Sequence, residues 1–207
     1  YGNILQAVES DRVFKKTKYD NGGVYGVVIG VSNMEKSIAF YRDVLGYDEI
    51  IYDITGIFPD YASLQGGKQT IRRVLLTHKE DRKGPFSRLL GKSEIELICT
   101  LDRKGRKIFE NRLWGDLGLI HLCFDVLNMD KLKEKCKAAG FPFTVDSNAN
   151  KNQGESFDMG QGAGRFSYIE DPDGTLVEFV ETHKVPIVKK IGLFIDLRKR
   201  NPEKPLP

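Results

Sequence analysis

Two glutamates and one histidine in this sequence occupy positions from which they could bind one divalent metal ion. Glu96 and Glu178 each lie inside a short apolar segment, and His121 lies in a third such segment. One imidazole and two carboxylates can bind Mn²⁺, Fe²⁺, Zn²⁺, Ni²⁺ or Mg²⁺, and the ligand types alone do not select one ion. Because three protein ligands leave coordination positions open, such a site is suited to metal-assisted catalysis.

A weak internal repeat relates these residues to one another. Residues 31–36 (VSNMEK) recur as residues 126–131 (VLNMDK), and each copy follows an apolar run and opens a helix-like stretch. Aligning the copies places Gly26 at the position equivalent to His121, and each copy ends in an apolar strand around one of the two glutamates. Of the four equivalent positions, only Gly26 has no donor atom. A degenerate site, in which the polar residues hydrogen-bond one another and water, is therefore the alternative.

The elements that position these residues follow the same order in both copies. Apolar β-branched runs predict strands, and helical spacing of apolar residues predicts one helix in each copy. Ser32 or Asn33 is suited to cap the first helix, and Gly46 is suited to end it. The predicted strands span residues 24–31, 48–54, 70–77, 93–99, 119–126, 143–145, 165–170 and 176–181, and the second helix spans residues 129–139. We predict an α+β fold in which two β-α-β-β-β modules pair into a half-open mixed-sheet barrel with the helices outside.

Shorter segments are predicted before, between and after the modules. The N-terminal arm has a candidate short helix at residues 4–8, and the basic linker, a candidate helix, holds the single tryptophan, Trp114. A glycine-rich loop over residues 146–164 is a candidate lid, and residues 191–197 are a candidate strand. The predicted boundaries are 1–23 for the arm, 24–101 for the first module, 102–117 for the linker, 118–183 for the second module and 184–207 for the tail.

Strand alternation predicts which side chains line a trough between the sheets. Residues i and i+2 of a strand point to the same face. His121, Cys123 and Asp125 should therefore line the trough, and the apolar residues between them should pack against the helix. Arg72 and Arg73 are adjacent, so one of them should face the trough, where a guanidinium could bind a substrate carboxylate, although a surface ion pair is the favoured interpretation.

Composition narrows the classes of protein to consider. The chain has 207 residues, is 40% hydrophobic and carries a formal net charge of +3, which is ordinary for a soluble globular protein. We find no basic stripe typical of nucleic-acid binding and no apolar run long enough to cross a bilayer. Three widely spaced cysteines favour buried thiols in a reducing compartment over a disulfide framework, which predicts a cytoplasmic location.

Three motifs together resemble one protein superfamily. These are VSNMEKSIAFYRDVLG at residues 31–46, IHLCFDV at 120–126 and EDPDGTLVE at 170–178. They are similar to the helix and terminal-strand signatures of the vicinal oxygen chelate superfamily, the glyoxalase/bleomycin-resistance/dioxygenase fold, over roughly residues 24–183. This fold supports lyases, isomerases, epimerases, dioxygenases and plain binding proteins, so the resemblance alone does not select an activity.

The resemblance implies a metal centre and a reaction. It implies that Glu96, His121 and Glu178 bind a divalent ion that contacts two adjacent oxygens of a small substrate, with Glu178 as the proton shuttle and Glu96 as the alternative. In glyoxalase I-like members the position of Gly26 is His or Gln. The expected function is a glyoxalase-like, metal-dependent lyase or isomerase, and homodimers occur in the family.

Two alternatives follow from the same sequence. The absent donor at Gly26 favours a metal-free small-molecule-binding protein of the bleomycin-resistance type. Because the chain begins with Tyr1, a non-catalytic half of a longer multi-module protein is the other alternative.

Overall fold

A computed structural model describes residues 3–10, 18, 23–82, 86–87, 91–149, 157–158 and 162–199 of the chain. In this part, two α-helices and ten β-strands form the α+β fold that the sequence predicts. The elements are β1 (Gly26–Gly30), α1 (Met34–Asp43), β2 (Glu49–Gly56), β3 (Ile71–Thr77), β4 (Glu94–Thr100), β5 (His121–Asp125), α2 (Met129–Ala138), β6 (Val145–Asp146), β7 (Phe157–Asp158), β8 (Ala163–Glu170), β9 (Leu176–Val188) and β10 (Leu193–Asp196).

The strands form two mixed sheets with one common plan. The first sheet has the order β1-β4-β3-β2, with β1 parallel to β4. In the second sheet β5 is parallel to β9, which pairs with β8, which in turn pairs with β6. The strands β7 and β10 are additions to this second sheet. Both sheets share the strand order that a duplicated module would produce.

Asparagine side chains begin both helices. Asn33 Oδ1 accepts a hydrogen bond from the Lys36 backbone N–H at 3.0 Å, and Asn128 Oδ1 accepts one from Lys131 at 3.1 Å. Each asparagine satisfies one of the backbone donors that a helix leaves unpaired at its N-terminus. These residues belong to the repeated motif, so the repeat specifies the starts of the two helices.

One hydrophobic core joins the two modules. The rings of Phe40 on α1 and Phe141 after α2 meet edge to face, with centroids 4.6 Å apart. The buried Tyr41 hydroxyl donates to Asp171 Oδ2 at 3.0 Å, so α1 of the first module is bonded to the β8–β9 turn of the second. The core residues that are almost completely buried include Phe40, Tyr41, Val74, Leu76, Ile95, Leu97, Met129, Cys136, Ile169, Val177 and Phe179.

The structure corrects several local predictions. Residues 3–10 are exposed and form no helix, and the described linker forms turns rather than a helix. The strand predicted at 143–145 lies at Val145–Asp146, and β9 extends beyond the predicted end at residue 181 because β10 pairs with its second half. The arm, the candidate lid and the tail lie partly outside the described residues. In the described ranges, neither helix has the length and hydropathy of a membrane-spanning segment.

Candidate functional site

Glu178 lies at the centre of a polar cluster on the second sheet. Its Oε1 accepts a hydrogen bond from the Tyr168 hydroxyl at 2.6 Å, and its Oε2 lies 3.0 Å from His121 Nε2. Tyr168 is paired directly with Glu178 across β8 and β9, while β5, which carries His121, runs along the other side of β9. The sheet register thus brings together two of the three predicted ligands and a tyrosine that the sequence analysis did not select.

Trp114, from the segment between the modules, covers this cluster. Its ring stacks on the imidazole of His121, with centroids 5.7 Å apart and 20° between the planes, and meets Tyr168 edge to face at 5.6 Å. Trp114 is 62% exposed, so it leaves room for a ligand to contact the indole from solvent. We refer to Trp114, His121, Tyr168 and Glu178 as the Glu178 cluster.

Hydrogen bonding to Glu178 assigns roles to the Tyr168 hydroxyl and to the two nitrogens of His121. Burial, followed by the charge and hydrogen bond of Glu178, raises the pKa of the Tyr168 hydroxyl, which therefore remains a donor. With the proton of His121 on Nε2, facing Glu178, Nδ1 is an acceptor. This Nδ1 is buried and has no hydrogen-bond partner among the described residues. An unsatisfied buried polar atom costs about 1–3 kcal/mol, and a donor can reach this Nδ1 only if the side chains around it move.

Glu96 lies in a different cluster, on the first sheet. Arg73 Nε and the Tyr52 hydroxyl both donate to Glu96 Oε1, the latter at 2.9 Å, and the Tyr61 hydroxyl donates to Oε2 at 3.3 Å. Arg73 Nη1 also donates to Asp60 Oδ2 at 2.7 Å. Arg73 and Glu96 are both buried. We refer to Tyr52, Asp60, Tyr61, Arg73 and Glu96 as the Arg73 cluster.

The predicted metal ligands are therefore only partly assembled. The 3.0 Å between His121 Nε2 and Glu178 Oε2 suits two adjacent ligands of one ion at about 2.1 Å from each. Within the described ranges, however, no group of three His, Cys, Asp or Glu side chains could hold a metal ion. Glu96 instead forms an ion pair with Arg73, whose guanidinium is always charged. His121 and Glu178 thus lie together as two adjacent donors, and a three-ligand site that includes Glu96 stays a prediction.

Gly26, at the fourth position of the repeat, is constrained by its backbone. A Cβ atom at Gly26 would overlap the carbonyl oxygen of Glu94, which is its register partner on β4. A Cβ at Gly30, on the same strand, would meet nothing within 4 Å. The close approach of the two strands means that any side chain at Gly26 would force the backbone to shift, so the missing donor is part of how β1 pairs with β4.

The trough-facing prediction is resolved for the arginines. Arg73 shares its strand face with the buried polar groups around Glu96, whereas Arg72 bonds to Glu35 and Asp53 at 2.6 and 2.7 Å near the surface. Arg73 and Val74 are consecutive residues of β3 and therefore point to opposite faces. Both are buried, so β3 is covered on both faces. Alternation predicts that only one arginine lines the trough, but the sequence offers no signal that it would pair with Glu96.

The fold and these clusters define a two-module protein with a polar site on the inner strands. The family model of the Glyoxalase/Bleomycin resistance protein/Dioxygenase superfamily matches residues 25–179. The chain belongs to this superfamily, as the three sequence motifs predicted. The comparison with curated proteins found no match.

Solved structures of this superfamily have the same fold. A glyoxalase family protein from Bacillus cereus has a TM-score of 0.56 and 17% sequence identity, over 81% of this chain and 99% of that one. A glyoxylase/bleomycin resistance protein/dioxygenase domain from Frankia sp. has a TM-score of 0.51 and 20% identity, over 79% and 99% of the two chains. At these identities the similarity establishes the fold and leaves the activity to the site itself.

Proposed function

We propose that this chain binds a small oxygen-bearing molecule without a metal ion, as a binding protein of the bleomycin-resistance type, and that the Glu178 cluster is its ligand site. The observation that carries the proposal is the bonding of Glu96, whose carboxylate is engaged by Arg73 and by two tyrosine hydroxyls. Releasing it to a metal would break a buried ion pair, and leaving one partner of such a pair uncompensated costs about 3–5 kcal/mol.

The Glu178 cluster has the groups that recognition of such a ligand requires. Glu178 accepts hydrogen bonds, the His121 side chain beside it is 27% exposed, and the exposed face of Trp114 can stack on a planar group. The expected ligand therefore carries hydroxyl donors on or beside a flat, partly apolar body.

Fluorescence of the single tryptophan provides a direct test. The chain would be titrated in the presence of a chelator with metal-free bleomycin, a catechol, a 2-oxo aldehyde and a hydroxy acid. We expect a saturable change in Trp114 emission with at least one of them, and at least tenfold weaker binding in His121→Gln.

Tyr25→Phe is the matched control, because the Tyr25 hydroxyl bonds to Glu94 rather than to the Glu178 cluster. It should bind like the parent chain. Binding that occurs only after a divalent ion is added, or that is unchanged in His121→Gln, would contradict the proposal.

A glyoxalase-like, metal-dependent lyase or isomerase is the second candidate. The 3.0 Å spacing of His121 Nε2 and Glu178 Oε2 favours it, because two adjacent ligands of one ion have this separation. In this candidate Glu178 would move the substrate proton, and Zn²⁺, Ni²⁺, Mn²⁺, Fe²⁺ and Mg²⁺ remain alternatives. Metal analysis of protein purified without chelator, beside His121→Ala, separates the candidates: equal, negligible metal in both would exclude this one.

Two further expectations concern assembly and location. The family relationship supports a homodimer, which light scattering on the purified chain would test. A cytoplasmic location stays a prediction from the three unpaired cysteines, and localisation of the tagged full-length protein would test it.

A further inference from the structure

The guanidinium of Arg73 is enclosed as a bound cation would be. Two carboxylates converge on it, since its Nε donates to Glu96 and its Nη1 donates to Asp60 at 2.7 Å. Two aromatic rings complete the enclosure: the centre of the guanidinium lies 4.4 Å from the ring centroid of Tyr61 and 4.8 Å from that of Phe58. Only 8% of the Arg73 side chain is exposed, so solvent contributes little to compensating its charge.

The groups around the guanidinium are matched to a permanent positive charge. Tyr52 and Tyr61 donate to the same Glu96 carboxylate, and burial together with Glu96 raises the pKa of each hydroxyl to about 12. Both hydroxyls therefore stay protonated and act as donors. Carboxylates and aromatic faces both favour a cation, and the arginine charge does not titrate in the physiological range.

We propose that Arg73 is the built-in cation of the first module, occupying the place between Glu96 and Asp60 that a divalent ion would otherwise take. The guanidinium thereby determines that the first half of the trough is metal-independent. This inference rests on the proposed function in one respect only, namely that the parent chain has no metal centre that includes Glu96.

Replacing the arginine should turn this cluster into a metal site. In Arg73→Met the two carboxylates lose their common cation, and their oxygens become available to a hard divalent ion. The control is Arg72→Met: Arg72 also joins two carboxylates, Glu35 and Asp53, but these lie near the surface and are 73% and 38% exposed. Binding of Mn²⁺ and of Ca²⁺ would be measured by calorimetry on the full chain after chelator treatment.

We expect Arg73→Met to bind Mn²⁺ at least tenfold more tightly than the parent chain and Arg72→Met, which should resemble each other. The double variant Arg73→Met with Glu96→Gln should lose this gain. A folded Arg73→Met that binds Mn²⁺ no more tightly than Arg72→Met would overturn the inference.

A second variant keeps the inference testable if Arg73→Met does not fold. Glu96→Gln in the parent background should leave Mn²⁺ affinity unchanged, because Glu96 is already occupied by Arg73. A loss of tenfold or more would show that Glu96 binds metal in the parent chain and would overturn both the inference and the proposed function. A failed gain in Arg73→Met alone leaves the proposed function standing, since the fluorescence titration tests it separately.

Discussion

Replacement of Tyr41 by phenylalanine should destabilise the whole chain, because the Tyr41 hydroxyl makes a buried hydrogen bond between the two modules. Tyr41 is completely buried on α1, and its hydroxyl donates to Asp171 Oδ2 at 3.0 Å. The other oxygen of Asp171 accepts the backbone N–H groups of Asp173 and Thr175 at 2.9 and 2.7 Å. The substitution removes one donor from a buried carboxylate that the Thr175 side chain also bonds, and it changes almost nothing else.

The expected loss follows from the charge of the acceptor. A hydrogen bond to a charged group contributes about 1.5–3 kcal/mol. The donors that remain, two backbone N–H groups and the Thr175 side chain, argue for the lower part of this range, about 2 kcal/mol. For a chain of this size the melting temperature falls about 2–4 °C per kcal/mol, so Tyr41→Phe should melt about 4–8 °C below the parent. Calorimetry and urea titration followed by circular dichroism would measure both quantities.

Tyr47→Phe is the matched control for this substitution. Tyr47 is equally buried, but its hydroxyl pairs with the uncharged Ser93 Oγ at 2.7 Å, for which about 1 kcal/mol is expected. Burial raises the pKa of Asp171, so the excess loss in Tyr41→Phe should shrink at low pH as this carboxyl takes up a proton. Equal melting temperatures for the two variants at neutral pH would refute the assignment of Tyr41–Asp171 as a charged bond between the modules.

Three further predictions concern the strands and the start of the second helix. Gly26→Ala should destabilise the chain by about 1–3 kcal/mol, because the new Cβ overlaps the Glu94 carbonyl. Gly30→Ala is the control and should be neutral or slightly stabilising, because a Cβ there meets open space. Equal melting temperatures for the two variants would contradict this. Burial and then Glu181 raise the pKa of Asp125 from 3.8 to about 6, so its neutral form favours folding and stability is lost as pH rises through this range. Asp125→Asn should therefore be more stable than the parent by about 1–2 kcal/mol at pH 8, after allowance for solvent screening. Below about pH 4 the two proteins should be equally stable. Urea titrations that give the same difference at every pH would contradict this. Glu181→Ala should lower the free energy of unfolding by about 1 kcal/mol, because Glu181 Oε1 accepts hydrogen bonds from the backbone N–H groups of Asn128 and Met129 at the start of α2. An unchanged urea midpoint would exclude this role.

The architecture was predictable because the information for it is local and occurs twice. Asn33 and Asn128 begin equivalent helices, and alternation along β5 separates apolar residues that join the core from His121 on the other face. The pairing of His121 with Glu178 follows from two adjacent strands of one module. The environment of Glu96 was not predictable, because Tyr61, which bonds Glu96, and Asp60, which bonds Arg73, lie in the connection after β2, outside the strand and helix pattern of the repeat.

The difference between the two glutamates explains why the second module is the better candidate for ligand binding. Glu96 and Glu178 occupy equivalent strands, yet their direct neighbours across the sheet are Leu75 and Tyr168. Glu96 has an apolar neighbour, and its charge is compensated by the buried guanidinium of Arg73, so it gains little from a further donor. Glu178 is bonded to a hydroxyl and an imidazole, neither of which carries a permanent charge, beside the exposed face of Trp114. A ligand that donates hydrogen bonds therefore gains more at Glu178 than at Glu96.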